Sequence, residues 1–532
     1  MTAAKSTAPR VLISDELSPA AVQIFKDRGV AVDVKPGLSK DELEKIIGQY
    51  DGLAIRSATK VTEKLLASAT NLKVVGRAGI GVDNVDIKAA TAKGVIVMNT
   101  PFGNSITTAE HAITLMLALA RQIPTADRST QAGKWEKSRF MGVEITNKTL
   151  GIIGCGNIGA IVADRAHGLK MRVVAFDPFL TEERAKELNV AKVELDELLR
   201  RTDFITLHTP LTDKTRNMLD AKAIAKMKPG VRIVNCARGG LIDEAALLAA
   251  LKSGHVAGAA LDVFLVEPAK DNPLFGHENV ICTPHLGAAT TEAQENVALQ
   301  VAEQMSDYLL TGAITNAINF PSISAEDAPK LNPYVKLAEQ LGLFAGQLSD
   351  SMIKGIRVEY AGEIATLNVK PLTAAVIAGV LRPSLADINM VSAGQIARDR
   401  GIVVDEATRR QDGAYESYVR VTVKTDKQER AVAGTVFSDG KPRIIQVKGI
   451  EMEAQFYPHM LYVTNDDKPG FIGRVGALMG ELGINIARLN LGRDKPNGNA
   501  IALIAVDQPV DEAAIKRIET FPNVHRAHRL TF

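Results

Sequence analysis

Charge of one sign and long apolar runs are both scarce in this sequence of 532 residues. Its 63 basic and 61 acidic side chains leave a formal net charge of +2, so no global field favours nucleic acid or an anionic membrane as a partner. No stretch approaches the roughly 18 uninterrupted apolar residues that a membrane-spanning helix needs. Selectivity for an anion must therefore come from a local site.

Cysteine is also scarce, with only Cys155, Cys236 and Cys282 in the chain. The number is odd and no two of them form a C-x-x-C pair, which favours reduced thiols and no structural metal site. The opening residues, MTAAKSTAPR, lack the apolar core of a secretion signal and predict a short disordered tail. We therefore expect a cytoplasmic protein without a bound metal.

The length predicts three or four domains of roughly 100 to 200 residues each. From Arg10 to about Thr100, short strand-like runs alternate with amphipathic stretches, which predicts a parallel sheet flanked by helices. Residues 105–121 have a Ser/Thr start and helical apolar spacing, so we expect a long buried helix that leads into a second domain. The alternation restarts over 148–283 and predicts a second doubly wound unit. A helical pattern over 290–311 suits a return to the first domain.

The rest of the chain predicts a different architecture. Residues 318–333 are rich in proline, serine and acidic side chains, a composition typical of a linker. Helices and period-two strands mix over 332–457, with a turn at 438–442, which indicates an α+β module. From about 458 onwards the pattern is strand, helix, strand, strand, helix, strand. That order predicts a ferredoxin-like domain.

A glycine-rich loop, Gly154-Cys155-Gly156-Asn157-Ile158-Gly159, lies between a predicted strand and a predicted helix. In this context the pattern predicts a dinucleotide site, with the pyrophosphate held at the helix N-terminus. The next strand ends at Asp177, near the spacing expected for the acid that binds both ribose hydroxyls. A carboxylate there repels a 2′-phosphate. We therefore expect NAD rather than NADP.

Three further side chains follow predicted strands of the second unit, at the edge where open α/β sheets bind ligands. His285 is suited to acid–base work because its ordinary pKa is near 6.5. Glu267 is predicted to orient the imidazole and stabilise its protonated form. Arg238 is predicted to grip a substrate carboxylate and carbonyl oxygen with its planar fork of donors. This set predicts hydride-transfer chemistry on a 2-hydroxy acid.

Residues 10–320 resemble the D-isomer-specific 2-hydroxyacid dehydrogenases in many segments. These segments are RSATK, GRAGIGVDNVD, MNTPFGNS, GCGNIG, HTPLT, NCARGG, ALDVF and PHLGA. The resemblance implies the catalytic roles given above for Arg238, Glu267 and His285. The cofactor positions that it implies are Ile80, Gly154, Gly156, Asn157, Ile158, Gly159, Asp177, Thr209, Pro210, Cys236, Ala237, Arg238, Asp262, His285 and Gly287.

The resemblance also implies an α/β fold with two doubly wound domains. A Rossmann-type cofactor domain at 104–288 is expected to be inserted in a flavodoxin-like substrate domain at 10–103 and 289–320. An intervening α+β domain at 321–457 and a ferredoxin-like domain at 458–532 are expected to follow.

Phosphorylated substrates require additional cations, and two arginines lie at predicted strand ends of the first domain. The expected substrate positions are Arg56, Ser57, Arg77, Gly79, Arg238 and His285. A basic residue after Trp135 also meets substrate in some relatives, and the sequence leaves open whether Lys137 or Arg139 takes that part. Trp135 itself is either a subunit-interface anchor or a covering residue. Ile80 replaces a threonine of some relatives, which leaves backbone or apolar contact with the cofactor.

The last domain resembles the amino-acid-sensing ACT module. In serine-pathway relatives that module binds L-serine between paired domains, and the matching residues here are Asn465, Asp467 and Asn485. The resemblance thus implies a homo-oligomer, expected to be a tetramer, with L-serine as effector. The intervening domain is similar to one that takes an allosteric substrate. Its candidate phosphate ligands are Lys441, Arg443 and Lys448.

The implied function is the NAD-dependent oxidation of D-3-phosphoglycerate to 3-phosphohydroxypyruvate, the first step of phosphorylated serine biosynthesis. Two alternatives remain open at this level. One is the same chemistry on another D-2-hydroxy acid, such as a glyoxylate-type or branched acid. The other is an NAD-sensing corepressor, since the same fold supports both enzymes and corepressors.

Overall fold

In the computed structural model the chain is described for residues 8–385, 388–409 and 415–532. The tail expected at the start of the sequence lies mostly outside these residues. The described residues form four sheets, and the elements are labelled β1 to β22 and α1 to α17 in chain order. None of the helices in these ranges is long and apolar enough to cross a membrane.

The first sheet has five parallel strands in the order β2-β1-β3-β4-β5, which is the flavodoxin-like order. Helices cover both faces, and the strands β1, β3 and β4 are accordingly buried except for the exposed Arg10 and the partly buried Arg77. The elements are β1 Arg10–Ile13, α1 Pro19–Asp27, β2 Ala31–Val34, α2 Lys40–Ile46, β3 Gly52–Ile55, α3 Glu63–Ser68, β4 Val74–Arg77, α4 Ile87–Lys93 and β5 Ile96–Met98.

The second sheet has seven parallel strands in the order β12-β11-β10-β9-β6-β7-β8, the doubly wound order of dinucleotide-binding domains. The short strand β8 was not predicted from the sequence. The elements are α5 Ser105–Arg121, α6 Ile123–Gln131, β6 Thr149–Ile153, α7 Asn157–Gly168, β7 Arg172–Phe176, α8 Glu182–Glu187, β8 Ala191–Lys192, α9 Leu195–Arg201, β9 Phe204–Leu207, α10 Ala221–Ala225, β10 Val231–Asn235, α11 Glu244–Lys252, β11 Val256–Leu261 and β12 Val280–Cys282.

Helix α12 (Thr291–Thr311) leaves the second sheet and packs on the first. Its buried Met305 and Val301 lie directly over Gly76 of β4, where an added Cβ would come within 2.2 Å of the Met305 sulfur. Glycine is therefore needed at that strand position for the helix to approach. This packing ties residues near 300 to a sheet built from residues 10–98.

The prediction of a linker through Pro333 was partly wrong. Helix α13 (Ala328–Gln347) already begins at Ala328, with Pro329 in its first turn and Pro333 inside it. A proline in the first turn costs nothing because that N–H has no helical acceptor. Phe320 and Ile323, in the stretch before the helix, are 8% and 3% exposed. The connection is therefore packed rather than free.

The third sheet is mixed, in the order β14-β13-β15-β16-β17-β18, and two long helices cover one face. Helices α13 and α14 meet at Gly342 and Gly346, where a Cβ would come within 2.3 Å of a carbonyl oxygen of the facing helix. The elements are β13 Ile353–Gly362, α14 Lys370–Leu381, α15 Met390–Asp399, β14 Val403–Arg409, β15 Ser417–Thr425, β16 Glu429–Val436, β17 Pro442–Val447 and β18 Ile450–Gln455. The turn predicted at 438–442 connects β16 to β17.

The fourth sheet is antiparallel in the order β20-β21-β19-β22, the ferredoxin-like arrangement predicted from the sequence. One face packs on its own two helices. On the other face, the Tyr462 ring packs edge-on against Phe344 of α13, with 5.9 Å between ring centroids. The elements are β19 His459–Asp466, α16 Phe471–Glu481, β20 Ile486–Arg493, β21 Asn499–Val506, α17 Glu512–Glu519 and β22 Val524–Thr531.

Candidate active site

A cavity of about 690 Å³ lies between the first two domains, at the carboxyl ends of their strands. The first domain lines it with Arg56, Ser57, Arg77, Ala78 and Gly79, which follow or end β3 and β4. The second domain contributes Asp262, Glu267 and His285, which follow β11 and β12. Residues far apart in the chain thus meet because parallel strands all end at the same sheet edge.

Glu267 and His285 form a hydrogen-bonded pair. The distance from His285 Nδ1 to Glu267 Oε2 is 2.7 Å, and Glu267 Oε1 also accepts from the Phe264 N–H. The carboxylate hydrogen bond raises the pKa of His285, and outweighs the burial that would lower it. Burial alone would raise the pKa of Glu267, but the bonds from His285 and Phe264 lower it. The pair is therefore suited to holding a proton on His285 next to an ionised Glu267.

The His285 backbone has a φ of +57°, in the left-handed region that side chains other than glycine rarely adopt. Its N–H donates to the backbone oxygens of Asp262 and Thr283. The Asp262 carboxylate is fully buried and accepts from the N–H groups of Leu286 and Gly287. Asp262 thus binds the turn that presents the imidazole to the cavity.

Arg238 follows β10 and reaches towards the first domain. Its Nε lies 3.0 Å from Asp83 Oδ2, and its Nη1 donates to the Ala237 carbonyl. A Cβ on Gly81 would come within 1.7 Å of Arg238 Nη2, so the guanidinium lies directly on the first-domain backbone. Arg238 therefore bridges the two domains at the cleft.

Arg56 and Arg77 supply positive charge on the first-domain side. Burial, with repulsion from Arg238, lowers the pKa of Arg77 to about 10, so the group remains charged at neutral pH. The Arg77 Nε atom is buried without a hydrogen-bond partner. At Gly79, with φ +142°, a Cβ would collide with the Arg77 guanidinium. Arg56 and Arg77 line the cavity and Arg238 lies close enough to repel Arg77, so this group of three guanidinium charges favours a ligand with more than one negative charge.

The three loop glycines have three different surroundings. A Cβ on Gly154 would come within 2.5 Å of the His208 carbonyl oxygen, and one on Gly159 within 2.2 Å of the Gly154 oxygen. A Cβ on Gly156, by contrast, would meet nothing within 4 Å and point into open space. Gly156 directly precedes α7, whose first turn holds Asn157 and Ile158. Open space at a helix N-terminus fits the pyrophosphate of a dinucleotide.

Asp177 follows β7 next to this loop. Its Oδ2 accepts from the Cys155 N–H at 2.8 Å, and its Oδ1 accepts from the Phe179 N–H. These bonds hold the carboxylate beside the glycine loop, where it fits a ribose diol. The other predicted cofactor positions lie at the same sheet edge, after β9 (Thr209, Pro210), β10 (Cys236, Ala237) and β12 (Gly287). Ile80 follows β4 and offers a backbone carbonyl, which already accepts from Asn99 Nδ2.

Lys137 and Arg139 lie in a short 3₁₀ turn outside the main cavity. Arg139 pairs with Glu136 and Glu278 in a neighbouring cleft. Trp135 is 87% exposed. Neither basic residue reaches the cavity of its own chain. A contact with substrate by Lys137 or Arg139 would therefore be made in the cavity of a second copy, and which of the two makes it stays open.

The effector residues divide between two places in the last domain. Asn465 and Asp467 line one cavity of about 590 Å³, where Asp467 Oδ2 accepts from Arg493 Nη1 and the Asn497 N–H. The bond from Arg493 lowers the pKa of Asp467. Asn485 lies at the opposite end of β21, where it donates to Asp507. One chain does not bring the three together.

The three candidate phosphate ligands of the intervening domain have different surroundings. Arg443 pairs with Asp439 and stacks over the Phe437 ring, so its charge is already engaged. Lys441 is exposed. Burial, with repulsion from Arg430 and Arg526, lowers the pKa of Lys448. The phosphate role for this group stays a prediction.

Sequence reasoning missed His111, Thr283 and Asp83 as members of the site. His111 Nε2 is 3.2 Å from Asp262 Oδ1, and Thr283 Oγ1 donates to the same atom at 2.6 Å. The only signal for His111 was a polar residue on the apolar face of a predicted helix, between the buried Ala109 and Ala112. That signal does not say which strand the face will meet.

This pair of doubly wound domains, with a His–Glu pair and an arginine in the cleft, is the architecture of the D-isomer-specific 2-hydroxyacid dehydrogenases. The family model for the NAD-binding domain of those enzymes matches residues 113–287. The D-3-phosphoglycerate dehydrogenase intervening domain matches 330–448, and the ACT domain matches 459–523. The cofactor of this class is NAD, as predicted.

Full-length relatives narrow the class further. The chain is 42% identical over 524 residues to D-3-phosphoglycerate dehydrogenase of Synechocystis, covering 98% of this chain and 94% of that protein. It is 42% identical to the Bacillus subtilis protein of the same name, covering 97% and 98%, and 43% identical to that of Methanocaldococcus jannaschii, covering 97% and 98%. The chain belongs to the D-3-phosphoglycerate dehydrogenase family, which confirms the resemblance stated from its segments.

Among the solved structures that match, two cover somewhat more than half of this chain. A glyoxylate reductase from Paecilomyes thermophila is 30% identical, with a TM-score of 0.54 over 58% of this chain and 98% of that one. D-lactate dehydrogenase from Aquifex aeolicus, complexed with NAD and lactic acid, is 27% identical, with a TM-score of 0.52 over 59% and 100%. The dehydrogenase part is thus shared with enzymes that have other names.

Proposed function

We propose that this protein oxidises D-3-phosphoglycerate to 3-phosphohydroxypyruvate with NAD. The observation that carries the proposal is that Arg56 and Arg77 line the cavity that also holds the Glu267–His285 pair, while the charge of Arg238 acts on both Arg77 and His285 from beside it. A phosphorylated hydroxy acid has two anionic ends, and unphosphorylated acids such as lactate have one. Three guanidinium groups suit the former.

In the proposed reaction, His285 Nε2 takes the hydroxyl proton, since Nδ1 is engaged with Glu267. Glu267 stabilises the imidazolium that forms, because its charge lies next to the Nδ1 proton. Arg238 donates to the substrate carboxylate and to the developing carbonyl oxygen. Arg56 and Arg77 bind the phosphate. When bound at the glycine loop, NAD supplies the hydride acceptor.

We further propose feedback by L-serine at a site shared between two copies of the last domain. The separation of Asn485 from Asn465 and Asp467 within one chain supports a shared site, and a homo-oligomer, expected to be a tetramer, supplies it. A second surface, in the second domain, exposes the large apolar side chains of Ile123, Trp135 and Met141, which favours its burial against another copy of the chain.

Three unpaired cysteines favour a reduced compartment, and we expect the cytoplasm.

Purified protein with NAD and D-3-phosphoglycerate, followed by NADH absorbance, tests the proposal. We expect turnover that greatly exceeds turnover of D-lactate, and slower turnover when L-serine is added. Absence of NADH from D-3-phosphoglycerate would reject the substrate. Turnover that ignores L-serine would reject only the feedback. The H285A variant separates an enzyme from an NAD-sensing corepressor. We expect it to bind NAD without turning over substrate, whereas the response of a corepressor to NAD would survive the substitution.

A further inference from the structure

His111 lies in the middle of helix α5 and contacts Asp262 and Thr283 on the side away from the cavity. Its side chain is 18% exposed, and its Nε2 lies 3.2 Å from Asp262 Oδ1 and 3.4 Å from Thr283 Oγ1. No role in binding or catalysis follows for it from the cleft itself, because it does not line the cavity. It does contact the acid that holds the catalytic turn.

Asp262 makes four bonds to the turn at 283–287. Its carboxylate accepts from Thr283 Oγ1 at 2.6 Å, from the Leu286 N–H at 2.7 Å and from the Gly287 N–H at 2.8 Å. Its backbone oxygen accepts from the His285 N–H at 2.9 Å. Since His285 has a positive φ, this turn needs outside contacts to keep its conformation. A charged carboxylate binds N–H donors more strongly than a neutral acid.

The surroundings of Asp262 leave His111 as its one ionisable hydrogen-bond donor among the described residues. Burial alone would raise the pKa of Asp262, and the hydrogen bond from His111 leads the interactions that lower it. The nearby Cys236 has its pKa raised by burial and by Asp262, so it stays a neutral thiol. Of the other charged groups nearby, Glu267 bonds to His285 and Arg238 bonds to Asp83, while the charge of Asp262 acts on Glu267 without a hydrogen bond between them.

We propose that His111 is a positioning residue for the reaction: by donating to Asp262 from α5, it keeps that carboxylate aimed at the turn that places His285. The inference rests on the proposed function, because the position of His285 affects the rate only if His285 transfers the proton. His111, Cys236 and Asp262 also lie within 4.8 Å of one another, a spacing that metal ligands share. Both Asp262 oxygens are already occupied by hydrogen-bond donors and the thiol is protonated, which favours positioning over metal binding.

Three substitutions at His111 and one control test the inference. H111F removes the donor, H111Q places an amide nitrogen near the position of Nε2, and H111N is too short to reach Asp262. E110Q on the same helix is the control, since Glu110 is exposed and faces Arg165. We expect H111F and H111N to lower kcat by roughly 10- to 100-fold, as a small misplacement of a catalytic group does. KM for D-3-phosphoglycerate should change by less than about threefold, because no substrate contact is lost. H111Q should retain most of kcat.

A readout independent of turnover is the pKa of His285, followed by NMR of the imidazole and assigned by comparison with H285A. Displacement of the turn weakens the bond to Glu267, so we expect H111F and H111N to lower this pKa, and H111Q and E110Q to leave it in place. An unchanged His285 pKa with unchanged kcat, beside a lower melting temperature, would show a purely structural histidine and overturn the inference. If H111F does not fold, equal kcat and pKa in H111Q and H111N would overturn it.

The two failures are distinguishable. Wild-type protein that makes no NADH from D-3-phosphoglycerate, but whose His285 pKa still moves in H111N, would reject the proposed substrate and keep the positioning role. Normal wild-type turnover with no effect of H111N would reject the positioning role alone.

Discussion

At the scale of single residues, the proposed role of His285 links the pH range of the reaction to its pairing with Glu267. With His285 as the proposed base, oxidation of the hydroxyl needs the neutral imidazole, so we expect the rate to fall as the pH drops through the pKa of His285. Glu267 raises that pKa through its hydrogen bond and its charge. In the proposed mechanism, Glu267 therefore both stabilises the imidazolium and is expected to move the acidic limb of the rate profile to higher pH.

E267Q is expected to move this limb to lower pH. Glutamine still accepts the Nδ1–H bond but carries no charge, so the pKa of His285 falls. The plateau of kcat should fall roughly 10- to 100-fold, because the imidazolium loses its counter-charge. Measurements of kcat from pH 5 to 9 in the oxidative direction, with E187Q on the exposed α8 as control, check this. A limb that stays in place would show that another group controls it.

At the scale of the element, the loop from β6 to α7 uses glycine for two different purposes. Gly154 and Gly159 are needed by the fold, because a side chain at either position would meet backbone oxygens. Gly156 is not needed by the fold, because the space beside it is open. We propose that the small size of Gly156 instead leaves room for a dinucleotide at the N-terminus of α7.

Alanine substitutions should separate these purposes. G156A is expected to keep the wild-type melting temperature while its Kd for NAD rises at least about tenfold, since the methyl group occupies ligand space. G159A is expected to lower the melting temperature by several degrees, as a destabilisation of about 1 to 3 kcal/mol from overpacking would. Thermal unfolding without NAD and fluorescence titration with NAD measure the two effects. Equal loss of stability in both variants would contradict the assignment of open space to the cofactor.

At the scale of the whole molecule, the regulatory domains are attached by packed surfaces. Asn389 in the intervening domain donates to the Ala92 carbonyl at the end of α4, and Asn332 donates to the Thr311 carbonyl at the end of α12. The last domain in turn contacts α13 through Tyr462 and Phe344. A change in one regulatory domain therefore has a contiguous route to the substrate domain, although only a two-state element would make that route allosteric.

A mixed oligomer tests whether the serine site is shared. D467A and N485A oligomers are each expected to ignore L-serine. Mixed oligomers that contain both variants can be purified through a different affinity tag on each chain. If the site is shared, one of the two sites in each mixed pair combines the intact Asp467 of one chain with the intact Asn485 of the other. We therefore expect partial inhibition by L-serine. Mixed oligomers as insensitive as the parents would contradict the shared site, and unexchanged parents mixed just before the assay are the control.

Much of the architecture follows from local pattern. Alternating apolar runs and helical spacing predicted two doubly wound units and a ferredoxin-like domain, the family resemblance implied the flavodoxin-like and Rossmann-type forms, and the strand orders confirm that fold class. The short β8 and the start of α13 were missed. Two residues give too little periodicity to detect, and prolines in the first turns of a helix have the same composition as a linker.

By itself, the sequence determined which chemical groups the chain carries: a glycine loop of the dinucleotide-binding pattern, an imidazole and a carboxylate after neighbouring strands, arginines at strand ends, and a tail that resembles the ACT module. Each of these features lies in a short segment of the chain, because the local backbone and the side-chain types suffice to specify the feature. Only the tertiary structure decided which side chains meet. It placed Asp83 on Arg238, His111 on Asp262, and Asn485 away from Asp467. Such contacts depend on how separate sheets and helices pack, and no segment contains that information alone.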